Sequence, residues 1–164
     1  MAANMLVYII LFMVSLLNIA FLSVIVKRQR CFYYVTFFIL ITISCFGYVT
    51  MANATNADVA LLGNILTFFG ACFLPYSFLL CMSELCQIPI KKWISFVMLA
   101  YNVIVFCLAW STSMGCKLFY ADYELVHQEG ISVLVTTPGP CRILYEISVV
   151  FFAGAVITLM YFAK

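Results

Sequence analysis

The sequence predicts an all-α integral membrane protein, a five-helix antiparallel transmembrane bundle with a β-hairpin in its long outer loop. Three observations predict it. Hydrophobic residues make up 67% of the chain, more than the surface of a water-soluble domain of this size tolerates. The eight Lys or Arg and six Asp or Glu residues fall almost entirely in short gaps between long apolar runs. The apolar runs are long enough to cross a hydrocarbon core of about 30 Å as helices of about 20 residues, and the alternation of an outer-membrane barrel is absent.

The five runs are Met5–Val26, Phe32–Met51, Val59–Met82, Trp93–Trp110 and Ile143–Phe162. In lipid each backbone amide must be satisfied within its own segment, so each run predicts a helix. The first run is not a cleavable signal peptide, because Met1–Asn4 carries no charged side chain and Lys27, Arg28 and Arg30 follow the run. That order predicts an N-terminus outside. Lys27, Arg28, Arg30, Lys91, Lys92 and Lys164 then fall inside, and only Lys117 and Arg142 outside. This bias predicts an N-out, C-in cell-membrane protein with a cytoplasmic C-terminus. The bases read as topology and headgroup charges rather than as nucleic-acid contacts.

The third run carries a stripe of small residues, Ala60, Gly63, Thr67, Gly70 and Ala71, which lets another helix approach closely. Pro75 predicts a kink, either plain packing geometry or a bend used in a switch. Pairs such as Trp93 and Trp110, Tyr33 and Tyr34, Phe119 and Tyr120 read as interface anchors.

The loop Ser111–Arg142 is the longest and lies on the outer side. Within it, Tyr123–His127 and Ile131–Thr136 are β-prone runs separated by Gln128-Glu129-Gly130, which predicts a hairpin. Thr137-Pro138-Gly139-Pro140 stops the second strand, and Pro140 suits the first turn of the last helix. The whole chain, residues 1–164, reads as one transmembrane domain without repeats or a soluble domain.

Candidate binding residues are few. Glu146 is an ionisable group inside an apolar run, which makes it a candidate for ligand or proton sensing. Arg142, four residues earlier, offers the alternative of an ion pair on one helix face, and the helix N-terminus favours the negative charge. Asn64 and Tyr48 fall toward the outer side with Glu146 and could line an outward-facing cavity; Asn102 is a further polar residue within a helix. Such residues also serve as interhelical hydrogen bonds. Cys116 and Cys141 both lie in the outer loop and could form a disulfide across it, although spacing alone does not fix connectivity. Most of the eight cysteines lie in or beside apolar helices, there is no CxxC, and His127 is the only histidine, so neither a metal site nor another cofactor is expected. No phosphate-binding glycine loop, HExxH or nucleophile with a neighbouring base is present, so the chain is not expected to be an enzyme.

Several segments together resemble a known family. Pro89-Ile90 through Trp110-Ser111-Thr112, then Lys117-Leu118-Phe119-Tyr120, then Pro138-Gly139-Pro140 opening an aromatic-rich helix, are similar to the N-terminal seven-helix membrane sensor region of bacterial histidine kinases, whose relatives also precede diguanylate cyclases. The order and loop lengths agree over nearly the whole chain. The family has seven helices, whereas this chain ends after five and carries no cytoplasmic kinase or cyclase domain, which implies a truncated region of a longer protein or a stand-alone relative. The resemblance implies a sensory input domain of a two-component system, passing an extracellular or membrane stimulus to a cytoplasmic kinase or cyclase domain. Its implied partners are the lipid bilayer, a small-molecule or lipid-derived stimulus, and a second copy, as a homodimer of the parent signalling protein; no nucleic acid is implied. The rival expectation is a small membrane transporter or transporter subunit, which would need broken helices with facing polar groups near the midplane.

Overall fold

The computed structural model describes residues 2–25, 32–128 and 131–163. The bases Lys27, Arg28, Arg30 and Lys164, together with Cys31 and the hairpin turn Glu129-Gly130, lie outside the described residues. Five helices and one hairpin follow in the order α1 (Ala2–Ile25), α2 (Phe32–Ala52), α3 (Ala57–Leu85), α4 (Lys92–Trp110), a 3-10 turn (Ser111–Met114), β1 (Tyr120–Gln128), β2 (Ile131–Pro138) and α5 (Arg142–Phe162). Among the described residues, α2, α3, α5 and α4 with its 3-10 continuation are long and apolar enough to cross a membrane. The remaining helix, α1, is 24 residues long and carries no charged side chain.

The third helix is longer than its apolar run. It starts where the Asn56 side chain accepts a hydrogen bond from the Val59 amide at 2.9 Å, with Asp58 in the first turn. Negative charge is favoured there by the free N–H groups of the helix start. At the other end it continues past Met82 through Ser83 and Glu84 to Leu85, because polarity does not end a helix that still has backbone partners. It stops beside Gln87, whose φ of 56° is left-handed. The Ser83 hydroxyl ties the turn by donating to the Ile88 carbonyl at 2.6 Å.

α3 is the hub, packing on α2, α4, α5 and both strands, while α1 packs on α2. The α2–α3 seam is backbone against backbone. A Cβ at Gly47 would meet the Thr67 nitrogen at 2.4 Å, one at Gly63 the Met51 nitrogen at 2.7 Å, and one at Gly70 the Ser44 Cβ at 2.6 Å. Ser44 Oγ donates to the Thr67 carbonyl at 3.3 Å, and Thr67 Oγ1 donates back to the Ser44 carbonyl at 3.5 Å. Of the remaining stripe, Ala60 turns into a cluster with Leu61, Ile65 and Leu134 of β2, and Ala71 is half-buried.

The strands pair antiparallel, with Gln128 opposite Ile131, so the connection is two residues long. β1 begins three residues earlier than its β-prone run, with an irregularity in the pairing between Tyr120 and Asp122. Two further expectations are corrected. Pro140 is not in the first helical turn: Cys141 is the N-cap and the helix starts at Arg142. Phe119 and Tyr120 are not interface anchors, being 0% and 6% exposed, whereas Trp93 is 75% exposed.

Candidate functional site

The hairpin is fastened to the helices beneath it along β2, where Ser132 donates to the Ala54 carbonyl at 2.5 Å and Leu134 packs with Ala60 and Leu61, and its two ends are tied to each other. The Gly139 amide donates to the Phe119 carbonyl at 2.8 Å and the Cys141 amide to the Leu118 carbonyl at 3.0 Å. A Cβ on Gly139 would meet the Leu118 oxygen at 2.5 Å, so only glycine lets the chain leave β2 this close to the entry of β1. Phe119 is thereby driven between helices, with its ring 4.8 Å from that of Phe68, which in turn lies 4.7 Å from Tyr145 of α5. Beside it, Asn64 Nδ2 of α3 donates to the Tyr120 hydroxyl at 3.3 Å. Burial pushes the Tyr120 phenol above its ordinary range, against the opposing pull of the Asn64 hydrogen bond, so it stays neutral. Tyr48 of α2 and Arg142 of α5 are close enough to act on the same phenol. Asn64 and Tyr48 therefore belong to one polar and aromatic knot joining α2, α3, α5 and β1.

Glu146 stands apart from this knot. Its side chain is 64% exposed and faces Arg142 Nε at 3.8 Å along the same helix, and it lines none of the cavities described here. An exposed pair at this spacing contributes little. Glu146→Gln is therefore expected to change stability by less than about 0.5 kcal/mol, read from melting in detergent. A larger loss would mean the carboxylate has a partner beyond Arg142.

Asn102 of α4 is 1% exposed, and neither its Nδ2 nor its Oδ1 has a hydrogen-bond partner. Along the antiparallel α3–α4 pair, the Tyr76 and Ser95 hydroxyls meet at 2.7 Å and the Phe73 and Phe106 rings at 6.1 Å. Asn102 lies between these contacts, level with the turn that carries Pro75. Proline has no N–H, so the Ala71 carbonyl lacks its usual helical donor. Two weak points of the polar accounting thus fall at one depth of the bundle.

The chain matches the family described as the N-terminal 7TM region of histidine kinase over residues 7–164. It belongs to that family. No curated protein and no solved structure matches it. The family is a membrane sensor region and not a catalytic domain.

In this 7TM region Cys116 and Cys141 are both free thiols, as are the other described cysteines. Among the described residues no three His, Cys, Asp or Glu side chains converge on a metal position. Three features of the 7TM region were not anticipated from sequence. Tyr101 donates from α4 to the Leu144 carbonyl of α5 at 2.8 Å. Tyr76 and Ser95 join α3 to α4. Glu84 lines a cavity at the α3–α4 connection and has a buried oxygen without a partner. The signal for Glu84 was available, since it is an acid directly after an apolar run. The tyrosine pairs carry no such signal, because a tyrosine in a helix reads the same whether its hydroxyl meets lipid or a neighbour.

Proposed function

We propose that this chain is the sensory input of a signalling protein, receiving a stimulus on the hairpin side and passing it through the bundle to a cytoplasmic kinase or cyclase domain. Membership of a sensor family carries the reading. The attachment of the hairpin to α3 and α5 supports a route for the signal, since anything that shifts the hairpin pulls on both helices. A stimulus acts only through a difference in its affinity for two packings. The level of Pro75 and Asn102 is suited to a second packing, because an amide without partners loses nothing by moving.

The hairpin side is outside in this proposal, on the strength of the Lys and Arg distribution. Lys91→Cys should react with an impermeant thiol reagent only from the cytoplasmic side, judged against the unsubstituted protein. Labelling of that site from outside would invert the topology.

Transmission is tested by joining residues 1–164 in frame to a histidine-kinase catalytic domain in membrane vesicles. A substitution at Gly139 forces the hairpin away from α5 through the Leu118 contact. Gly139→Leu is expected to fix autophosphorylation at one level and to leave the membrane-inserted helices protected from protease. Autophosphorylation that is the same with glycine and with leucine would sink the transmission reading.

A further inference from the structure

The α3–α4 connection lines an open-sided cavity of about 440 Å³ that lies at the far end of the bundle from the hairpin. Its lining carries charges of opposite sign. Glu84, in the last turn of α3, contributes a carboxylate whose Oε2 is buried without a hydrogen-bond partner. Lys92, the first residue of α4, contributes an ammonium. Arg142 with Glu146 is the sole ion pair among the described residues, so Glu84 and Lys92 do not neutralise each other across the space. The backbone ends add charge of the same signs, negative at the end of α3 and positive at the start of α4. Tyr33, Gln87 and Ser95 add polar groups to the wall.

A carboxylate with one oxygen buried and unpaired is costly, and a ligand bearing both charges relieves it. We infer that this cavity binds the headgroup of an aminophospholipid, with the ammonium of the phosphoethanolamine on Glu84 and its phosphate on Lys92. A lipid is favoured over a soluble zwitterion by what adjoins the cavity. Pro89 and Ile90 are shared with a second groove of about 280 Å³ that runs over Ile94, Met98 and Leu159. An acyl chain leaving the headgroup cavity meets that apolar groove directly. Trp93, 75% exposed and next in sequence to Lys92, marks the level of a membrane interface. The amine is specified as well as the charge: a primary ammonium donates N–H to the carboxylate, whereas choline has no N–H and a glycerol headgroup has no cation.

The test is native mass spectrometry of the purified protein equilibrated in micelles holding equal amounts of phosphatidylethanolamine, phosphatidylcholine and phosphatidylglycerol. Phosphatidylethanolamine should be retained about tenfold over the other two, the worth of one charged hydrogen bond. Glu84→Gln should erase that preference. Lys92→Gln should weaken retention of all three lipids alike, because each carries the phosphate. Equal retention of the three lipids by the unsubstituted protein, or a preference that survives Glu84→Gln, overturns the inference. Should either variant fail to fold, competition on the unsubstituted protein decides. Soluble phosphoethanolamine that displaces the lipid at equal concentration overturns the lipid assignment, and failure to displace it supports the headgroup held with its chain.

Discussion

Gly47→Leu is expected to prevent recovery of folded protein from detergent. The Cβ alone would stand 2.4 Å from the Thr67 nitrogen, 2.5 Å from Thr67 Oγ1 and 2.7 Å from the Gly63 oxygen. Two of these three neighbours are backbone, and backbone in the middle of a packed helix does not give. Overpacking a core where side chains can move costs about 1–3 kcal/mol, and here the helices themselves must separate, breaking the Ser44–Thr67 hydrogen bonds as they go. Gly70→Leu meets the Leu40 oxygen at 2.8 Å and should fail in the same way. Two controls give the contrast. Leu62 is 50% exposed, so Leu62→Ala removes little packing. Gly154 has nothing within 4 Å of its missing Cβ. Gly154→Ala should raise stability by about 0.5–1 kcal/mol, the cost of glycine inside a helix. Melting temperatures in one detergent check the set. If Gly47→Leu and Gly154→Ala melted alike, the seam would not be the close contact described.

Asn102→Leu is expected to make the protein more stable and less responsive at once. Each buried polar group without a partner costs about 1–3 kcal/mol, and both the donor and the acceptor of this amide are in that condition. Leucine fills a similar volume and has nothing to satisfy. A stabilisation of about 1 kcal/mol or more is therefore expected, read as a rise in melting temperature. A residue that weakens its own fold is commonly kept for function. Joined to a kinase domain, the Asn102→Leu protein should show autophosphorylation that no longer varies with the conditions that vary it in the parent. A fall in melting temperature would show instead that the amide is bonded in the working protein, and the idea of a second packing at this level would go.

The apolar runs carried most of the fold, because a membrane leaves little choice to a run of twenty apolar residues. The ends were less legible. At α3 the polarity of Ser83 and Glu84 marked the end of the run, while the helix continued to Leu85, ahead of a left-handed residue at Gln87 that hydropathy does not register. The hairpin was readable from its two β-prone runs and the Gly-containing segment between them, yet its burial was not. Phe119 and Tyr120 look like interface aromatics by position and are instead driven inward by Gly139. The candidate site was read in pieces. Asn64, Tyr48 and Asn102 are polar residues within helices, but only their neighbours decide that the first two share a knot with Tyr120 while Asn102 has no partner. Glu146 drew notice as an acid in an apolar run. Sequence cannot say which side of a helix faces lipid or water when both sides are apolar, and its side chain turned out to be exposed.

The glycine seam has a mechanical consequence. With glycine at three positions of the contact and the short Ser44 and Thr67 side chains bonded across it, α2 and α3 form a stator. The contacts of α5 with the rest are of another kind, made by side chains: a hydroxyl on a carbonyl at Tyr101, aromatic rings in contact at Phe68, and Phe152 and Val156 packed on Leu79. Contacts of that kind can slide or break one at a time. Spin labels on α2 and α3 should therefore keep one fixed separation in every state of the protein. Labels on α3 and α5 should show two separations, and the α5 helix is where the moving part of such a device would be found.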